Sequence, residues 1–582
     1  MHVSTWFRQW LDKRRRRASP SDPLAPFAEL SVRRLEERRV LSASVTVDIG
    51  GNVTVDVTGD DTVTVSVDDN NTLTTADDVL TITDTDGMTS DFTIGVDSVN
   101  SLTINADAGN QDVQFAGADA IAIPLVSVNS TSVNGSTGID NVSFQQDLSA
   151  SGGLIVDVTG SVTVDVGMSV VSSAGDIDLT AGGDLTVSGD LTATTGSVAL
   201  DGLTVAVNAS IQAADGVSIT ADNDVSFSST GDVTVTDGDL SITAGNDATD
   251  DVTMADGTTF SVTSAGGASV SLTAGGNIAV STIGGANLDA VTLTAGASIS
   301  DVLSGEAANV TADTLAMSAG TGIGVGNDID TTVLQLEAVT GTGGIAIAET
   351  DGLQLGGVSA GVNGVDVTVS GGIAITAGGS IVVTEGVSAP GDISLSATGG
   401  SSDLTIALNS GVASAGGDIT LAADRTVTIS ENVTTTNAGS ITVTGNLTAL
   451  DTGARNIVVD SGAVVSVVDG DLLMDADLGT AQSGDFAGIR ISSATVQTTG
   501  TGNITLVGQG GSDAGSVNHY GVLITNGAVV QSTASGLGSN QGEITLTGTG
   551  GDGPSGNDGV RIDIGAKIQS VEGDILVVGQ GG

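Results

Sequence analysis

The 582 residues include 85 glycines, no cysteine and only 2% aromatic side chains, beside 39% hydrophobic residues drawn mainly from Val, Ile and Ala. Such a mixture lacks the Leu and aromatic content of an ordinary globular core, yet it is too apolar for a disordered chain, and the missing cysteines exclude disulfides, thiolate chemistry and cysteine-based metal sites. The formal charge of −54 is unevenly placed: ten of the fifteen basic residues precede Val40, so the first 39 residues carry +5 and the remainder −59. A body this acidic excludes nucleic acid as a partner, because phosphates are bound through Lys and Arg, and it repels polyanionic polysaccharide and anionic lipid in the same way.

Residues 1–44 form a basic head, read as partly helical or disordered. Trp6, Phe7, Trp10 and Leu11 share one side of a short helix, followed by Lys13-Arg14-Arg15-Arg16-Arg17 and a Pro-rich linker to Pro26. Basic clusters beside aromatics suit export or a membrane surface, although the apolar stretch of an ordinary secretory signal is missing. At the junction with the body stands Leu35-Glu36-Glu37-Arg38-Arg39-Val40-Leu41-Ser42-Ala43. It resembles the LEPR-XLL motif, a short N-terminal module of large exported proteins of planctomycete bacteria. Leu35, Glu36, Arg38 and Leu41 match; Glu37 stands where the motif has Pro, and Val40 where it has Leu. The resemblance covers nine residues and implies export, with processing near Ser42 or Ala43.

From Val45 onward the pattern is strand alternation. Val45, Val47 and Ile49, then Val53, Val55 and Val57, then Val63, Val65 and Val67 are spaced by two, as in strands with one face inward. Turn formers such as Gly50-Gly51 and Gly59-Asp60-Asp61 separate them. Residues 45–150 read as a β-rich cap with the first coils. In 151–480 the units Gly175-Asp-Ile-Asp-Leu-Thr-Ala, Gly196-Ser-Val-Ala-Leu, Gly216-Val-Ser-Ile-Thr-Ala and Gly238-Asp-Leu-Ser-Ile-Thr-Ala start 21, 20 and 22 residues apart. A short fixed period means stacked units that bury their core only against neighbours. The pattern predicts an all-β chain: a right-handed parallel β-helix, or β-solenoid, of roughly 20–22-residue coils, each with three strands and three turns. In 481–582 the spacing lengthens: Gly488-Ile-Arg-Ile, Gly521-Val-Leu-Ile and Gly559-Val-Arg-Ile lie 33 and 38 apart, with insertions at 510–518 and 548–558 expected to project from one edge. About 25 coils would give a rod of about 120 Å at the inter-strand spacing. The repeat is cut at Gly581-Gly582 without a polar cap, which reads as truncation. The repeats resemble the filamentous-haemagglutinin and adhesin type of β-helix, and planctomycete surface proteins with Gly-(Asp/Asn/Ser)-Ile-x-Leu-Thr units; this resemblance spans about 150–582 and carries architecture, not a site.

Chemistry is sparse. His519 is the only histidine of the body and adjoins the only tyrosine, Tyr520; a lone His in an insertion is expected at the surface, and one His builds no triad. Sixty-four acids make chance carboxylate pairs inevitable, so a glycosidase pair cannot be read from them. Arg490 and Arg561 occupy equivalent repeat positions with Leu523 between, and read as an exposed repeat face. No enzyme activity, and no catalytic or cofactor-binding residue, is expected. Calcium is the one cofactor for which ligands are on offer: Asp60, Asp61, Asp68, Asp69, Asp84 and Asp86 supply hard oxygens, with solvated acidic turns as the plainer reading. No run of about 18 apolar residues occurs, so no transmembrane helix is expected.

The chain thus reads as a non-enzymatic, secreted or cell-surface repeat protein, adhesin-like or a structural spacer, with cell-surface, matrix or glycan partners. The alternative is a stalk of a larger surface protein whose enzyme or binding domain lies beyond residue 582. The sequence assigns no oligomeric state.

Overall fold

The computed structural model describes residues 43–68, 78–84, 92–106, 109–130, 140–359, 361–445, 456–477, 483–536, 538 and 540–582. The head and its motif residues Leu35, Glu36, Arg38 and Leu41 lie outside them, as do Asp69 and Asp86. Among the described residues there are fifty-nine strands, one turn of 3-10 helix at Val96–Ser98 and no α-helix. All the strands belong to one sheet wound into a solenoid.

Alternation decides which side of each strand is buried. In Asn52–Val57 the valines are buried and the residues between them are not, and Ile177–Ala181 and Ile393–Ala397 repeat the pattern. The buried positions stack from coil to coil: Ile177, Val198, Val217, Leu240, Val270 and Val291 lie in parallel register, at sequence steps of 19 to 30. Of the few aromatics, Phe115 stacks on Phe144 at 5.0 Å and Phe227 meets Phe260 edge-on at 4.8 Å, all four buried in the interior. The ladders run unbroken past residue 150, where Leu154–Val158 pairs with Val126–Ser130, and past residue 480, where Leu472–Ala476 pairs with Ile504–Gln509.

One ladder, followed from Asn52–Val57 to Lys567–Ser570, contains twenty strands. Nineteen steps of about 4.8 Å make roughly 90 Å. That is shorter than the period alone suggested, because the N-terminal hairpin and the long late coils consume more chain per level.

The Gly-Asp signature has a two-part cause. A Cβ on Gly439, Gly470, Gly502 or Gly573 would press into the carbonyl of Gly417, Gly439, Gly470 or Gly542, respectively, one coil below. The next residue supplies an acceptor to the following coil. Asp392 Oδ1 accepts from Asp418 N, Asp418 Oδ1 from Ser440 N, Ser440 Oγ from Asp471 N, Asp471 Oδ1 from Asn503 N and Asn503 Oδ1 from Glu543 N, at 2.8–3.2 Å. These corner acids therefore tie coils together as well as favouring turns.

Two regions depart from the regular coil. At the N-terminal end, β1 (Ala43–Val47) pairs antiparallel with β2 (Asn52–Val57), while β4 (Val79–Asp84) pairs antiparallel with β3 (Thr62–Asp68) and with β5 (Phe92–Gly95). β2 and β3 pair in parallel with Ser101–Ala106 and Asp112–Phe115 in the next coil, so β1 and β4 cover their outer edges. The second region is a joint at 310–367. Val310–Ala319 serves two ladders, its start pairing with Ile283 and its remainder with Ala290–Ala295. Ile329–Thr342 then pairs with three separate strands, at 347–349, 354–355 and, across a register shift, 365–370. Only two glutamates are buried among the described residues, Glu337 and Glu349, and both lie here. Glu337 accepts from the N–H groups of Val358 and Ser359 at 2.9 Å; Glu349 accepts from Val333 N, Asp351 N and the Thr331 hydroxyl at 2.7–3.2 Å. Their carboxylates satisfy backbone donors where the ladders are redistributed.

Candidate functional site

The structure sets Asp68 apart from the other described calcium candidates, while Asp84, opposite Val63, lies at the same end of the β3–β4 pair as Asp60 and Asp61. Asp60 Oδ1 accepts from Asn110 N at 2.9 Å, the same coil-to-coil stitch as elsewhere, and the Asp61 carbonyl accepts from Asp112 N at 3.0 Å. Asp68 lies opposite Val79 and Asp84 opposite Val63, so these two sit at opposite ends of the β3–β4 pair, roughly 17 Å apart at the rise of a strand. Among the described residues no group of three or more His, Asp or Glu side chains gathers in metal-ligating fashion.

The body's single histidine and tyrosine, and three of its five basic residues, lie instead in the C-terminal coils. Three insertions, around 483–487, 510–520 and 550–558, stack on one another: Gly511 N donates to Phe486 O, Asp513 N to Asp552 O, Asn518 N to Ser555 O and Gly551 N to His519 O, at 2.9–3.0 Å. They project from one edge and continue the ladder sideways as a small lobe.

His519 lies at the centre of this lobe and is fully buried, contrary to the surface position expected of it. Segments distant in sequence cover it: Asp485 Oδ1 is 3.6 Å from Nε2, and Gly553 packs so close that a Cβ there would strike the imidazole. Both ring nitrogens lack a hydrogen-bond partner, and so does the buried Oδ1 of Asn557 in the third insertion.

A groove of about 620 Å³ opens beside the lobe, lined in part by Asp485, Arg490, Val517, Tyr520, Leu523 and Asp563. The register aligns Arg490, Leu523 and Arg561 on successive coils, and both arginine side chains are about two-fifths exposed. Each is neutralised: Arg490 reaches Asp460 at 3.2 Å, and Arg561 reaches Asp563 at 2.8 Å and Asp558 at 3.5 Å. The Arg561 guanidinium also lies over the Tyr520 ring, 5.2 Å from its centre, and the Tyr520 hydroxyl donates to Asn518 Oδ1 at 2.8 Å. Hydrogen bonds from Thr525 and Arg561 hold the Asp563 carboxyl below its ordinary pKa. Backbone and hydroxyl donors from Gly515 and Ser516 do the same for Asp513, helped by the nearby imidazole.

Asp485 is the exception. Its side chain is 63% exposed, and its carboxylate faces the buried His519 Nε2 at 3.6 Å. The single His and single Tyr of the body, side by side at 519–520, were the available sequence signal for the lobe; nothing in it marked Asp485 among so many acids.

Comparison with protein-family models, with curated proteins and with solved structures finds no match. No helix among the described residues is long and apolar enough to cross a membrane.

Proposed function

We propose that this chain is a non-enzymatic, exported repeat protein that serves at the cell surface as an adhesin-like contact surface or structural spacer. The observation that carries the reading is the continuous ladder of twenty strands. Every level is hydrogen-bonded to the next, so the solenoid transmits position and load along its length without a flexible linker. Its winding is taken as right-handed, since crossovers between parallel strands of one sheet have that hand almost without exception. The acidic body keeps such rods apart in solution by mutual repulsion. Export rests on the likeness of residues 35–43 to the LEPR-XLL motif, and cell-surface, matrix or glycan partners follow from that location.

Surface labelling of intact cells with a membrane-impermeant reagent tests the assignment. Labelled protein whose N-terminus maps near Ser42–Ser44 supports it, and a pool confined to the cytosol with Met1 intact overturns it. Small-angle scattering of the same material is expected to give an elongated particle with a solenoid close to the length estimated above.

A further inference from the structure

The joint contains a carboxylate that the protein buries and leaves without a partner. Asp330 stands between Ile329 and Thr331, which face the interior opposite Ile347 and Val310, so its own side chain faces outward. It is nevertheless only 9% exposed. No described residue donates a hydrogen bond to its carboxyl, which burial and repulsion from Asp328, Glu306 and Asp301 raise to about 6. Hydrogen bonds fix this arrangement. Asp301 accepts from Leu303 N at 2.7 Å and from the side-chain amides of Asn309 and Asn327, while Asn309 Oδ1 accepts from Asp330 N at 2.9 Å. The loops at 302–309 and 324–328, which carry Glu306 and Asp328, are thereby tied together beside Asp330. No lysine or arginine occurs between Arg39 and Arg425, and Arg425 is held by Asp403. A buried carboxylate with neither donor nor counter-charge is costly, and an entering cation recovers that cost.

We propose that this site receives an arginine side chain of a partner protein, its guanidinium seated on Asp330 and bridging to Asp328 and Glu306. Charge selects a cation, since four carboxylates meet here with no basic residue among them. Spacing selects the kind of cation. The carboxylates repel one another across the site but do not converge on one point as metal ligands do. A divalent ion or an ammonium is a compact charge and reaches too few of them at once. A guanidinium spreads five donors over a rigid plane. It is also more weakly hydrated than an ammonium, so it sheds water more readily beside a carboxylate that is nine-tenths buried. Asp301 is already engaged by Leu303, Asn309 and Asn327, and holds the two loops in place for the guest.

This inference goes beyond the spacer or adhesin reading and does not depend on it. Its test uses the full chain and reads amide hydrogen exchange across residues 302–331, with the regular coil at 419–445 as an internal reference. Titration with Nα-acetyl-arginine amide at about pH 7.5, where Asp330 is ionised, is expected to slow exchange in 302–331 saturably and to leave the reference unchanged. The citrulline analogue has the same shape without the charge and should do nothing. Asp330→Asn should raise the half-effect concentration by about tenfold or more. That substitution keeps the side-chain shape and relieves repulsion, so the fold is retained, checked by unchanged exchange in the reference coil. Asp328→Asn, at a half-exposed position, is expected to weaken the effect several-fold. At about pH 5, below the raised value of Asp330, protonation should weaken it in the wild type. The proposal is overturned if no saturable slowing occurs, or if the citrulline compound or the Asp330→Asn variant gives the same response. It is overturned equally if Nα-acetyl-lysine amide or Ca²⁺ protects the segment at a lower concentration than the arginine compound. None of these outcomes bears on the labelling and scattering that test export and the rod.

Discussion

The backbone N–H of Asp418 donates to Oδ1 of Asp392 in the coil below, at 2.8 Å, and Asp418 Oδ1 accepts in turn from the N–H of Ser440 in the coil above. One side chain thus joins two levels of the stack. Asp418→Ala removes the acceptor and is expected to destabilise its neighbourhood by about 1–2 kcal/mol, whereas Asp418→Asn retains an acceptor oxygen and should lose less than half of that. Amide exchange reads this locally: the Ser440 N–H should exchange several-fold faster in the alanine variant. Equal protection in the two variants would discard the stitch as a source of stability.

Protonation at the joint gives a pH dependence of definite sign. Burial raises the Glu349 carboxyl from 4.5 to about 7, and burial with repulsion from Asp328, Glu306 and Asp301 raises Asp330 from 3.8 to about 6. In each window the folded chain holds a proton that the unfolded chain has released. The stabilisation is fully present below the unfolded value, near pH 4 to 4.5, and is lost as pH rises through 6 to 7. For Glu349 the full swing is on the order of 3 kcal/mol. Melting temperature is therefore expected to fall between pH 4.5 and 8, and to fall less in Glu349→Gln. The same slope in wild type and variant would reject Glu349 as its source.

Covering of the N-terminal edge predicts an association phenotype. A chain beginning at Asn52 lacks β1 and exposes the outer edge of β2 to any free strand. It is expected to form larger particles in light scattering than a chain beginning at Ala43, with the difference growing at high salt as the acidic repulsion is screened. Identical particle sizes would mean that β1 protects nothing.

Divalent cations offer a fourth check. With Asp68 and Asp84 at opposite ends of a strand pair and Asp60 tied to Asn110, millimolar Ca²⁺ and Mg²⁺ should raise the melting temperature alike, through screening. A rise specific to Ca²⁺ would point to ligands beyond this described set, with Asp69 and Asp86 the first to replace.

Much of this fold is legible in the residues because each coil repeats one physical problem. Gly417-Asp418 and Gly439-Ser440 recur since the corner needs both a missing Cβ and an acceptor, and alternation in Ile-x-Leu marks the buried side. The antiparallel cap was not legible, because Val-Thr alternation in β1 to β4 says which side is buried but not in which direction a neighbour runs. The joint at 310–367 was hidden for a related reason. Its long strands bend between ladders, and Glu337 and Glu349 look like surface residues until the pairing is known. His519 was misplaced because its burial is supplied by segments near 485 and 553, each more than 30 residues away. The alignment of Arg490, Leu523 and Arg561, by contrast, followed directly from the late repeat.

Because the corner acceptor of one coil meets the corner donor of the next in the same way from Asp392 to Glu543, coils of this stretch are interchangeable parts. A gene segment encoding one turn, such as Gly417 to Ala438, can be copied or excised with both new junctions presenting the same glycine and the same acceptor. Chain length in such a protein is free to drift by whole turns, while extra residues within a turn are carried at the corners, as the steps of 19 to 30 residues and the lobe both show.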